Sequence, residues 1–204
     1  MTRHSILFST VAAAIVVARM GPLSGAAGGS VTGTVTVTGL ATSADAVVYI
    51  QEAPGKFPPP GKPVVMDQQK MRFIPRVLPV VAGTVVKFLN SDPTPHNVFS
   101  PDHEKYNLGT WPQRQARDYA FTKCAKPPCV YTQLCRVHPE MVGYVVVMQN
   151  PYFAVTDKEG HYEIGNVPPG SYTLAVWHTR RKAEPKPVTV DAAKPATADF
   201  VLAR

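Results

Sequence analysis

Cysteine is scarce, at 3 in 204 residues. That is too few for a small disulfide-stapled scaffold, and the odd number leaves one thiol over for a task of its own. Charge is sparse too, with Asp, Glu, Lys and Arg making up 17%. Wholesale disorder is nevertheless excluded, because 45% of the residues are apolar and can supply a core. Sustained 3.6-residue periodicity is missing beyond the N-terminal segment, as is any tandem repeat. Proline reinforces the first of these absences. The 21 prolines are roughly twice the usual share, and each costs about 3 kcal/mol inside a helix, so a mainly helical protein is excluded. There is no Ser–His–Asp order, no pair of carboxylates in a shared apolar frame and no glycine-rich phosphate loop. The sequence therefore offers little for an enzyme, and no catalytic residue is assigned.

What is present begins with an address. Arg3 and His4 precede an apolar run from Ile6 to Val17, and small residues follow at Ser24, Gly25, Ala26 and Ala27. This charge–apolar–small order is that of a secretory signal peptide over 1–27. The run is short for a membrane span, which needs about 20 apolar residues, and no second run of that length exists. The reading predicts a periplasmic or otherwise exported protein with no stable membrane insertion after cleavage, in a compartment that permits disulfides. The net charge of +7 is mild and scattered. Lys56, Lys62, Lys70, Arg72 and Arg76 form one loose group; Arg180, Arg181, Lys182 and Lys186 form another. Neither carries the interleaved aromatics of a nucleic-acid platform, so no nucleic-acid partner is expected.

The remainder reads as short strands and turns. Val31–Thr38 alternates β-branched residues with Gly and Thr, and Ala46–Gln51 follows as a second strand. The proline-rich stretch 53–63 is a loop or linker. Further strands are predicted at Met71–Ile74, Val77–Val81, Thr84–Leu89, Asn97–Ser100, Ala116–Phe121, Val130–Leu134 and Tyr144–Met148. The C-terminal part adds Phe153–Thr156, His161–Ile164, Tyr172–Trp177, Lys186–Val190 and Thr197–Leu202, with turns at Asp157–Gly160 and Val167–Gly170. Many short strands with regular turns predict an all-β protein built of sandwiches.

One local pattern carries chemistry. In Cys135-Arg-Val-His138-Pro-Glu-Met141 a thiol, an imidazole and a thioether share one tight loop. Upstream, His96 lies in "NSDPTPHNVFS", just after a predicted strand. Two His, one Cys and one Met form the ligand set of a mononuclear blue-copper site, in which the axial Met is weak and long. Zinc is a poorer fit, since structural zinc does not recruit Met.

Here the chain resembles a known family. "VVAGTVVKFLNSDPTPHNV" and "CRVHPEMVGYVVV" are similar to the first-histidine segment and the ligand loop of cupredoxins, the plastocyanin and amicyanin family. The resemblance implies a Greek-key β-sandwich holding one type 1 copper ion on His96, Cys135, His138 and Met141. It also implies that Asn97 hydrogen-bonds the ligand loop and that Asn90 orders the loop after its strand. Cys124 and Cys129 are paired as a disulfide, leaving Cys135 as thiolate. Three cysteines allow three single pairings, and a Cys129–Cys135 bond would abolish the site. The binuclear copper centre of oxidases is disfavoured, because Tyr131 stands where its second Cys is needed. His103, His161 and His178 are read as surface or loop histidines, and Glu140 as solvent-facing.

A second resemblance brackets the first. "FAVTDKEGHYEIGNVPPGSYTLAVWH" is similar to the carboxypeptidase regulatory-like, or transthyretin-like, sandwich. The opening strands of that family resemble "VTGTVTV" and "AVVYIQ", which lie far upstream here. The implied organisation is a discontinuous seven-stranded sandwich over 30–55 and 150–203, with the cupredoxin domain inserted over 56–149. Exported proteins of this combination resemble methylamine-utilisation-like proteins. The expected function is electron transfer between Cu(I) and Cu(II), with a transient redox protein partner and His138 as the port among Pro93, Pro95, Pro139 and Met141. The alternatives are copper binding or delivery without a redox partner, and a structural or carbohydrate-contacting sandwich protein.

Overall fold

The computed structural model describes residues 28–204. The expected signal peptide over 1–27 therefore lies outside the described residues. Those residues form seventeen strands: β1 Gly29–Val37, β2 Val47–Ile50, β3 Val64–Gln68, β4 Phe73–Ile74, β5 Val77–Val81 and β6 Val85–Asn90. Next come β7 His96–Ser100, β8 Tyr106–Trp111, β9 Ala116–Ala120, β10 Cys129–Leu134 and β11 Val142–Met148. The last six are β12 Phe153–Val155, β13 His161–Val167, β14 Gly170–Trp177, β15 Lys186–Val190, β16 Ala196–Thr197 and β17 Phe200–Leu202. No helix among the described residues is long and apolar enough to cross a membrane.

The strands make four sheets stacked as layers. In the outer layer β1 pairs with β13, β16 and β17; the next holds β12-β2-β14-β15. A five-stranded sheet β5-β11-β10-β7-β8 follows, and β4-β3-β6-β9 closes the far side. One core fills the first sandwich, from Val31, Val35, Ile50, Leu174 and Phe200. A second fills the other, from Met66, Phe88, Trp111, Phe121, Tyr131 and Val145. A third apolar layer, including Val47, Tyr49, Val77, Val146 and Met148, joins the two inner sheets. This explains the sequence of β2: all four residues of VVYI are buried, because both faces of that strand are covered. The Arg76 guanidinium meets Asp45 at 2.9 Å across the same seam.

The chain leaves the first sandwich after β2 and re-enters it at β12. The two crossings are clasped. The Ala53 N–H donates to Gln149 Oε1 at 3.1 Å, and Gln149 Nε2 donates to the Ala53 carbonyl at 3.2 Å.

Several expectations need correction. β3 and β8 were not anticipated. The strand expected over Met71–Ile74 shrinks to Phe73–Ile74, because Lys70 and Met71 both adopt a left-handed φ of 54° that breaks extended structure. The strand expected over Thr197–Leu202 is two segments, since Asp199 breaks the run and uses its carboxylate to accept from the Thr34 N–H at 2.7 Å. Eight short segments, rather than seven strands, thus serve the first sandwich.

Candidate metal centre

The β6–β7 loop and the β10–β11 loop meet at one end of the second sandwich. His96 opens β7, and Cys135 follows β10 directly. Along β10 the residues Cys129, Tyr131 and Gln133 alternate inward, and the same period carries the Cys135 thiol into the core. The turn then reverses through Pro139, closed by the Met141 N–H donating to the His138 carbonyl at 3.0 Å.

Three donor atoms converge. His96 Nδ1 lies 3.0 Å from His138 Nδ1 and 4.0 Å from Cys135 Sγ. One donor atom from each of the three lies within 4.8 Å of the others. A metal bonded at about 2.0 Å to nitrogen and about 2.3 Å to sulfur in a trigonal plane would hold such donors roughly 3.5 to 4 Å apart. The His96–Cys135 separation matches that spacing, while the two imidazole nitrogens, at 3.0 Å, would have to part by about half an ångström to admit an ion. His96 and Cys135 are buried, and His138 is partly exposed. Met141 is fully buried in the same apolar cluster as Cys135. It does not contribute to the surface around His138, contrary to the expectation. Pro93, Pro95 and Pro139 are exposed there, together with Val137.

The loops are tied by buried amides. The Asn97 N–H donates to Cys135 Sγ at 3.4 Å, and Asn97 Oδ1 accepts from the Arg136 N–H at 3.4 Å. Its Nδ2 donates to Asn107 Oδ1 and to the Gly109 carbonyl. Asn90 Nδ2 donates to the carbonyls of Thr94 and Trp111, and its Oδ1 accepts from the Asp92 N–H.

Asp92 was missed by the sequence reading. His96 Nε2 donates to Asp92 Oδ2 at 2.9 Å when Nδ1 is free to bind a metal. The same carboxylate accepts from the Lys70 N–H at 2.6 Å and the Met71 N–H at 2.8 Å, holding the left-handed turn. Burial alone would push the Asp92 carboxyl up; the Met71 amide, the His96 ring and the Lys70 amide outweigh it and hold the group below its ordinary range. An acidic residue between Ser and Pro looks like a turn former, so only its spacing of four residues before His96 could have flagged it.

The remaining assignments can be placed. Cys124 and Cys129 form a disulfide, and Cys135 is free. Glu140 is exposed. His161 pairs loosely with Asp157 at 3.5 Å, and the His103 ring lies against Tyr131. His178 sits at the seam between sandwiches, where burial and then Arg181 and Arg76 push its pKa down.

Residues 140–203 match the carboxypeptidase regulatory-like domain family. No curated protein matches the chain. Among solved structures, a proline-to-alanine variant of oxidised amicyanin is 29% identical, covering 42% of this chain and 81% of that one, with a TM-score of 0.38. A tryptophan-to-tyrosine variant of reduced amicyanin is 25% identical over 49% and 97%, with a TM-score of 0.39. A purple cupredoxin from Nitrosopumilus maritimus is 28% identical over 38% and 83%, with a TM-score of 0.34. The feature shared with the sequence motif is two packed sheets with His96 after β6 and Cys135 and His138 in the loop between β10 and β11. Residues 140–203 carry the match to the carboxypeptidase regulatory-like domain, and the other sandwich is the part that holds the His96, Cys135 and His138 cluster.

Proposed function

We propose that the chain is an exported electron carrier that holds one type 1 copper ion on His96, Cys135, His138 and Met141. The observation that carries this reading is the convergence of two imidazole nitrogens and one free thiol at one end of the sandwich. When bound, copper supplies a one-electron Cu(I)/Cu(II) couple. The residues do the rest. Cys135 offers a soft sulfur steadied by the Asn97 N–H. Asp92 fixes the His96 ring so that Nδ1 faces the centre. The linked Asn90, Asp92 and Asn97 contacts keep the donors in place, which suits a site that must not rearrange between oxidation states. His138, partly exposed among Pro93, Pro95, Val137 and Pro139, is the port to a transient redox partner. Such encounters need little buried area. Two domains are proposed: 30–55 with 150–203, and the inserted 56–149. Export rests on the order of the N-terminal residues.

Loading with Cu(II) tests the reading. An intense band at about 600 nm is expected, arising from thiolate-to-copper charge transfer. Cys135→Ser should abolish it. A protein shown to contain one equivalent of Cu(II) yet lacking the band would overturn the assignment.

A further inference from the structure

Four loops crowd around the metal end of the second sandwich: 69–72, 91–95, 112–115 and 135–141. Hydrogen bonds hold them as one surface. The Ser91 N–H donates to the Gln68 carbonyl, the Arg114 N–H to the Asn90 carbonyl, and Gln113 Nε2 to the Ser91 carbonyl. The Lys70 and Met71 N–H groups reach Asp92, and the Arg136 N–H reaches Asn97. The exposed charges on these loops are lopsided. Lys70, Arg72, Arg114 and Arg136 are all exposed, one or two from each of three loops. Glu140 is the sole exposed carboxylate among them, since Asp92 is buried. The same loops expose Met71 at 51% and Val137 at 45%, and the Arg136 guanidinium packs over the Phe99 ring at 5.2 Å. A cleft of about 720 Å³ beside Met141 carries the face onto the first sandwich. There Lys158 adds a cation, and Asp45 is neutralised by Arg76.

We propose that this face, whose loops carry Lys70, Arg72, Arg114 and Arg136, is the docking surface for a redox protein that presents an acidic patch. The proposal rests on the electron-carrier reading and specifies its partner. Complementary charge steers encounter without demanding a large interface. The exposed Met71 and Val137 side chains give apolar contact once the partner has arrived. Like charges on a basic partner would be held off by the same cations.

A basic c-type cytochrome, and the same cytochrome with its lysines succinylated, form a matched pair of probes that differ only in charge. Each is titrated into the isotopically labelled full chain, and amide shifts are followed. The succinylated form should perturb residues 69–72, 112–115 and 135–141, and should bind at least about tenfold tighter than the basic form at low salt. The difference should collapse as salt shortens the screening length from about 30 Å at 0.01 M to about 3 Å at 1 M. Arg72→Glu combined with Arg114→Glu should remove the preference, whereas Lys194→Glu, on the other sandwich, should not. Equal binding of both forms, or shifts centred elsewhere, would overturn the proposal even in a protein that shows the copper band. Localised, charge-dependent binding in a protein that shows no copper band would instead keep the surface and discard the copper reading.

Discussion

Asp92 shows what one side chain adds to a cluster of donors. Its carboxylate accepts three N–H groups, from Lys70, Met71 and His96. Asparagine has a single acceptor oxygen, so Asp92→Asn turns an amide N–H₂ towards at least one of those donors. The expected outcome is a copper affinity about 10- to 100-fold weaker, read by competition with a chelator. Unchanged affinity would mean that the His96 ring is held by packing alone. The convergence of His96, Cys135 and His138 was legible because two of them lie within one loop and the third has a distinctive setting. Asp92 was not, because an acidic residue in a turn shows its partner only once the loop is folded.

The elements at the opposite end of this sandwich are held by a carboxylate of a different kind. β8 and β9 lie in different sheets, and the Tyr106 and Tyr119 rings stack at 3.8 Å to close the edge between them. Glu104 accepts from the Tyr119 hydroxyl at 2.7 Å and from the Tyr131 hydroxyl at 2.9 Å. Burial first, and then the Glu104 charge, push both phenols up, so they remain donors. Burial works against the Glu104 charge, yet the Tyr119 hydroxyl, its own backbone amide, the Tyr131 hydroxyl and Lys123 together hold the carboxyl below its ordinary 4.5. A depressed carboxyl adds stability that is complete above its unfolded value and is lost as pH falls through the folded one. Urea unfolding should therefore show the native protein losing stability on acidification below pH 4.5, and Glu104→Gln losing less over the same range. Equal losses would remove Glu104 from the account. This cluster was invisible in the sequence, since its members come from the β7–β8 loop and from three strands that only topology brings together. Among the strands, Val77–Val81 and Lys186–Val190 were read with their observed limits. β3 was hidden by the proline-rich stretch before it and by the polar end of VVMDQ. β8 was hidden because YNLGTW lies at a sheet edge, is largely exposed and contains Gly109 at a φ of 79°, so it lacks alternation.

At the scale of the molecule, four layers share three apolar seams. The middle seam decides whether the two sandwiches unfold together. Met148 is 2% exposed and lies in that seam, on the strand that follows the ligand loop. Met148→Ala should cost about 2–5 kcal/mol, measured by denaturant titration. The protein should unfold in one transition, with the copper band and the backbone signal lost together. Two separated transitions in the unsubstituted protein would show that the seam does not couple the units.

The clasp between Ala53 and Gln149 has a further consequence for ancestry. For the first sandwich, everything between β2 and β12 is a decorated hairpin loop whose ends already touch. Insertions with adjacent ends leave the host's own pairings intact. One such unit could then be exchanged for another by preserving two hydrogen bonds, one apolar layer and the Arg76–Asp45 pair.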